Sequence, residues 1–232
     1  MSAPKTMPDN HSFPLLTAAL AQHASTVKAL GSQVAEMEDE DTAEDFESAF
    51  EVTHYPCEAP EAIERLQARI CMPVPEPLKT LYAAMGGFRF LDGYRMAHID
   101  LLAIDDLLSW ADRGDVDPAW PSLMGALCTF GSREEFSGLK PASQDVLTRE
   151  YVVFGWAHHR YEDRTLLVFD AQGAFHNVVY EHDCDGDEWA ARYLPACQKT
   201  LTGIGLDGML AAHVQAATRR VQRQFDEGEY LG

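Results

Sequence analysis

The chain has 232 residues, of which 46% are hydrophobic and 10% aromatic. That composition can bury a core and excludes a disordered tail or a fibrous repeat. With 37 acidic against 18 basic side chains the formal net charge is −19, which repels nucleic acid and anionic membranes and attracts basic partners.

The charge is unevenly distributed. Residues 1–60 hold 11 acidic and 2 basic groups, so the first quarter of the chain carries nearly half of the surplus. Five cysteines, Cys57, Cys71, Cys128, Cys184 and Cys197, show no C-x-x-C spacing. Reduced thiols in a cytoplasmic protein are expected. No run approaches the roughly 18–20 apolar residues of a membrane-spanning helix. Phe13 to Ala21 ends in an Ala-Leu-Ala that imitates a leader cleavage site. The spacing of Leu16, Leu20, Val27 and Leu30 fits an amphipathic helix better, so export is not expected.

In chain order, Ser12 and Pro14 open a predicted helix over 13–30, and Gly31 is its predicted stop. Residues 36–51, EMEDEDTAEDFESAFE, hold nine acidic groups in sixteen positions. Thr42 with Asp45 resembles a capping box, and Ala43, Phe46 and Phe50 share a helical face. The segment is therefore an apolar stripe ringed by carboxylates, which must pack on the chain's own core or on a partner.

Pro56 and Pro60 bracket a linker. Ile63, Leu66 and Ile70 mark a helix over 61–71, a three-proline turn fills 72–77, and a helix over 78–85 stops at Gly86-Gly87. Strands are predicted at Phe88–Phe90 and Tyr94–Ile99, then a short helix over 104–112. Within 114–150, Trp120, Leu123 and Leu127 suggest packing, and Ser132 to Glu150 reads as loop. Tyr151–Ala157, Thr165–Asp170 and Phe175–Tyr180 form a predicted antiparallel meander with a tight turn at Ala171-Gln172-Gly173. Helices over 187–201 and 206–226 close the chain. In the second, Leu206, Leu210, Val214, Ala217, Val221 and Phe225 recur at helical spacing.

These elements predict an α+β fold: an antiparallel β-sheet flanked by helices (residues 56–232), preceded by an acidic helical extension (residues 1–55). The turn and helix of Pro75, Pro77, Leu78, Leu81 and Tyr82, the Gly86-Gly87 pair, and the later VFG and LLVFD strands resemble the SUKH superfamily, the cell-wall-assembly-regulator and Syd type of domain. Met85 stands where that family often has an acidic or amide residue. The resemblance spans about residues 57–205. It implies function by binding, commonly as an immunity protein that neutralises a cognate toxin in interbacterial competition; a regulatory or scaffolding module is the alternative.

Other chemistry has weaker signals. His158, His159, His176 and His182 lie on or beside the meander without the spacing of a zinc site. Asp183, Asp185 and Asp187 alternate like the start of a calcium loop, but glycine sits fourth and Leu194 twelfth. No nucleophile motif, phosphate loop or dinucleotide fingerprint is present. No cofactor and no catalysis are expected. The expected partner is a toxin with a basic surface. The expected contact set is Glu36, Glu38, Asp39, Glu40, Asp41, Glu44, Asp45 and Glu47, with Phe46 as apolar anchor. Arg219, Arg220 and Arg223 cluster in the last helix, placed to pair with that segment or to complement the helix dipole.

Overall fold

A computed structural model describes residues 12–91, 97–110, 112–158, 164–181, 186–197 and 205–229. In chain order these form α1 (Pro14–Met37), α2 (Glu40–Ala49), β1 (Val52–His54), α3 (Pro60–Arg69), α4 (Glu76–Met85), β2 (Phe88–Leu91), β3 (Ala97–Leu101), α5 (Ile104–Trp110), α6 (Leu123–Phe130), α7 (Pro141–Arg149), β4 (Tyr151–His158), β5 (Arg164–Asp170), β6 (Phe175–Tyr180), α8 (Gly186–Cys197) and α9 (Leu206–Asp226). The fold is α+β, with helices around a six-stranded antiparallel sheet.

Strand order follows chain order, β1 to β6, so every sheet neighbour is also a sequence neighbour. The centre of the sheet is β4 and β5. Val153, Phe154, Leu166, Leu167, Val168 and Phe169 there are all fully buried, as expected of strands covered on both faces. A bulge near Phe154 shifts the β4–β5 register between Val153 and Gly155. The predicted strand from Tyr94 begins in residues outside the described set; the described part of β3 starts at Ala97.

The N-terminal segment is packed into this body. Val52 to His54 add a strand to the sheet edge against Phe88 to Phe90. Phe13, Leu16, Ala19 and Leu20 of α1 belong to the main core, together with Leu206, Leu210 and Val214 of α9. A second, smaller core lies beyond it: Val27, Leu30, Val34, Ala43, Phe46, Phe50 and Val221, with Phe225 packed against them.

Three local expectations are corrected. First, α1 does not stop at Gly31 but runs on to Met37. Gly31 is buried under α2, where an added Cβ would lie 2.5 Å from Glu47 Oε1. The glycine marks a close helix–helix approach, not an end. Second, Thr42 is not the cap of α2. Asp39 is, and its carboxylate accepts from the Thr42 N–H at 2.7 Å. Third, Ser132 to Glu150 is not all loop: Pro141 opens α7, which buries Leu147. The opening of α1 also differs in detail. Pro14 is at its first position, but Phe13 is the cap residue and offers no side-chain bond. The missing cap comes from the other end of the chain. Asp207, in the first turn of α9, accepts from the N–H groups of Leu15 at 3.1 Å and Leu16 at 2.7 Å.

Gly86 and Gly87 behave as their position suggests. Gly86 has φ +67°, and a Cβ there would lie 2.2 Å from the Pro56 carbonyl oxygen. A Cβ on Gly87 would lie 2.2 Å from the Leu101 carbonyl oxygen. The pair ends α4 and lets β2 pass close under two backbone segments.

Candidate partner-binding site

The acidic segment forms the turn between α1 and α2 and the outer face of α2. Glu36 is in the last turn of α1, Glu38 is its C-cap, and Asp39 caps α2. Glu40 and Asp41 fill the first turn of α2, and Glu44, Asp45 and Glu47 follow along it. All eight carboxylates are exposed, and among the described residues none is in an ion pair. The backbone N–H and side chain of Thr42 bonded to Asp39 hold that carboxyl below its ordinary value.

Phe46 is placed differently. It is only 1% exposed and packs against Phe50 at 4.9 Å and Phe225 at 6.2 Å between ring centroids. It anchors α2 to the protein's own core and has no face for a partner. The apolar group that stands among the carboxylates is Met37, 57% exposed, at the last position of α1. Its position was hidden in the sequence because a helix ending at Gly31 leaves Met37 without a defined orientation.

The distribution of charge in this ridge runs against local stability. Part of it is favourable: Glu40 and Asp41 complement the positive N-terminus of α2. Another part is not. Glu36 and Glu38 crowd the C-terminus of α1, where the helix dipole favours cations, and α1 has no basic residue in its last turn. Arg219 and Arg223 of α9 do not relieve this. Arg223 pairs with Glu227, and neither it nor Arg219 makes an ion pair with the acidic segment among the described residues.

Several polar groups of the interior are tied into the fold. Asp100 is 1% exposed and its Oδ2 accepts two bonds from the Arg89 guanidinium, at 2.6 and 3.0 Å. Burial pushes this carboxyl up, and Arg89 opposes that. Burial and the charge of Asp100 raise the Tyr55 phenol beside it to about 12. Burial, then Asp117, raises the Cys128 thiol to about 11, which removes it as a thiolate nucleophile at neutral pH. His176 Nε2 lies 2.7 Å from Asp170 Oδ2, and that aspartate also accepts from the Gln172 and Ala174 N–H groups to hold the β5–β6 turn. His159, His182, Asp183 and Asp185 lie outside the described residues, as do the side chains of His158 and Asp187. Among the described residues no group of three or more His, Cys, Asp or Glu side chains is arranged to hold a metal ion. No helix among them is long and apolar enough to cross a membrane. Comparison with family models, curated proteins and solved structures finds no match to this chain.

Proposed function

We propose that the protein works by binding: it is an immunity-type protein whose acidic ridge covers the basic active-site cleft of a toxin acting in the cytoplasm. The observation that carries this reading is the ridge itself, with eight exposed carboxylates, none in an ion pair among the described residues, around the exposed Met37. Carboxylates that load a helix C-terminus cost the fold stability, so a role outside the fold accounts for them better than folding does.

The chemistry of the fit is specific. A toxin that cleaves nucleic acid carries a basic groove, and a row of exposed carboxylates presents the same sign of charge to it as a phosphate backbone does. Long-range attraction speeds the encounter, while Met37 supplies the apolar contact that charge alone lacks. The resemblance of the Pro75–Gly87 segment to SUKH domains supports the same class of role.

Co-expression with the product of the adjacent gene tests the reading. A tight one-to-one complex that protects cells and weakens with salt supports it. Recovery of a housekeeping protein instead, with no toxic neighbour, would move the assignment to a regulatory scaffold.

A further inference from the structure

We propose that His23 is an acid-sensitive latch that holds the helices bearing the acidic ridge against the sheet. The residue sits at a seam. On α1 it falls between Leu20, which belongs to the main core, and Val27, which belongs to the small one. Its partner Thr218 falls between Ala217 of the main core and Val221 of the small core on α9. A polar layer thus divides the two apolar clusters, and His23 is its centre.

The ring is 2% exposed. Its Nε2 lies 3.1 Å from the Phe50 carbonyl oxygen, its Nδ1 lies 3.0 Å from Thr218 Oγ1, and its edge or face meets the Phe90 ring at 4.6 Å. A carbonyl only accepts, so Nε2 carries the proton in the neutral ring and Nδ1 accepts from the Thr218 hydroxyl. On protonation both ring nitrogens donate. The Thr218 hydroxyl then turns to the Val214 carbonyl, 2.9 Å away. The neutral ring leaves the Thr218 hydroxyl one proton for two acceptors, so acid adds one hydrogen bond, but with it a buried charge that has no counter-ion among the described residues.

Among the described residues no charged group contacts the ring. The groups that face the ring are the Phe50 carbonyl at the end of α2, Thr218 on α9 and Phe90 on β2, none of them ionisable. Of the ionisable residues flanking them, Glu51 and Arg219 are exposed, Glu47 lies over Gly31, Arg89 is bound to Asp100, and the half-buried Arg220 is engaged with another group. Burial lowers the ring below its ordinary 6.5, against the Phe50 carbonyl, which raises it. The latch is therefore closed above about 6.5 and loses its hold as pH falls from there to the lower folded value. The weaker side of the seam gives way. The small core has seven buried residues, and opening it frees the Phe50 carbonyl and α2 with its carboxylates.

Hydrogen exchange of the α2 amides, compared with those of β5, tests this in the full chain and in His23→Gln, which keeps a donor and an acceptor but does not titrate. Between about pH 7.5 and about pH 5, corrected for intrinsic exchange, wild-type α2 should lose protection by about tenfold or more while β5 does not change. In His23→Gln that loss should vanish, although the ridge carboxylates, which also take up protons, are all still present. The same loss in both proteins, or none in the wild type, overturns the latch. If His23→Gln does not fold, the wild-type imidazole titration decides by NMR: a midpoint below 6.5 that coincides with α2 opening supports it, and a midpoint at or above 6.5 contradicts it.

Discussion

Two glycines that look alike in the sequence are expected to respond oppositely to the same substitution. Gly86→Ala places a Cβ against backbone and forces a side chain into positive φ, so it should cost more than about 2 kcal/mol. Gly31→Ala meets the exposed Glu47 side chain, with Cγ 2.6 Å and Oε1 2.5 Å from the new Cβ; Glu47 must turn to another rotamer to clear it, while alanine contributes about 1 kcal/mol of helix propensity. It should be near neutral or stabilising. Urea unfolding of the two variants checks both. A severe loss in Gly31→Ala would mean that the α1–α2 contact is tighter than the side chain of Glu47 implies. Phe46→Ala belongs at this scale too: filling the small core, it should lose about 3–5 kcal/mol. Unchanged stability would return Phe46 to the candidate contact set.

At the scale of elements, the two longest helices depend on each other's ends. Asp207 on α9 supplies the bonds that Phe13 cannot give to α1, across nearly the whole chain. Asp207→Ala should cost about 1 kcal/mol and raise exchange first in the opening turn of α1, as read by thermal unfolding and amide exchange. Fraying in α9 alone would contradict that cap. The same bond shows what a sequence hides. The bounds of α9 were legible because Leu206, Leu210, Val214, Ala217 and Val221 all pack inward at helical spacing. The meander was legible because its strands are short apolar runs between turn residues. α7 was not, since it buries only Leu147 and shows no stripe. Nor was the length of α1, because glycine signals either a helix end or a close approach, and only the position of α2 distinguishes them. Asp207 carries no signal at all toward residues so far away in the chain.

On the scale of the whole molecule, one end of an α+β body bears an exposed acidic ridge held by its own small core. The charge of that ridge was legible from composition; its contact chemistry was only partly so. Phe46 and Met37 exchange roles once α1 is extended, the aromatic going inside and the thioether out. In the proposed role, the placement of Glu36 and Glu38 sets stability against binding. Replacing both by lysine should stabilise the fold by about 0.3–1 kcal/mol per residue through the helix dipole. The same change should weaken a complex with a basic partner. Loss of both stability and binding together would show that these carboxylates serve the fold.

The most direct test of the central claim is to express the product of the adjacent gene as the candidate toxin and to measure protection by the wild type and by the Glu36→Lys, Glu38→Lys, Glu44→Lys triple variant. These three positions spare the Asp39 cap and the buried Phe46. The expected result is a folded variant that no longer protects and whose purified complex has dissociated. Full protection by a folded variant would contradict the claim that the acidic ridge is the surface through which this protein acts.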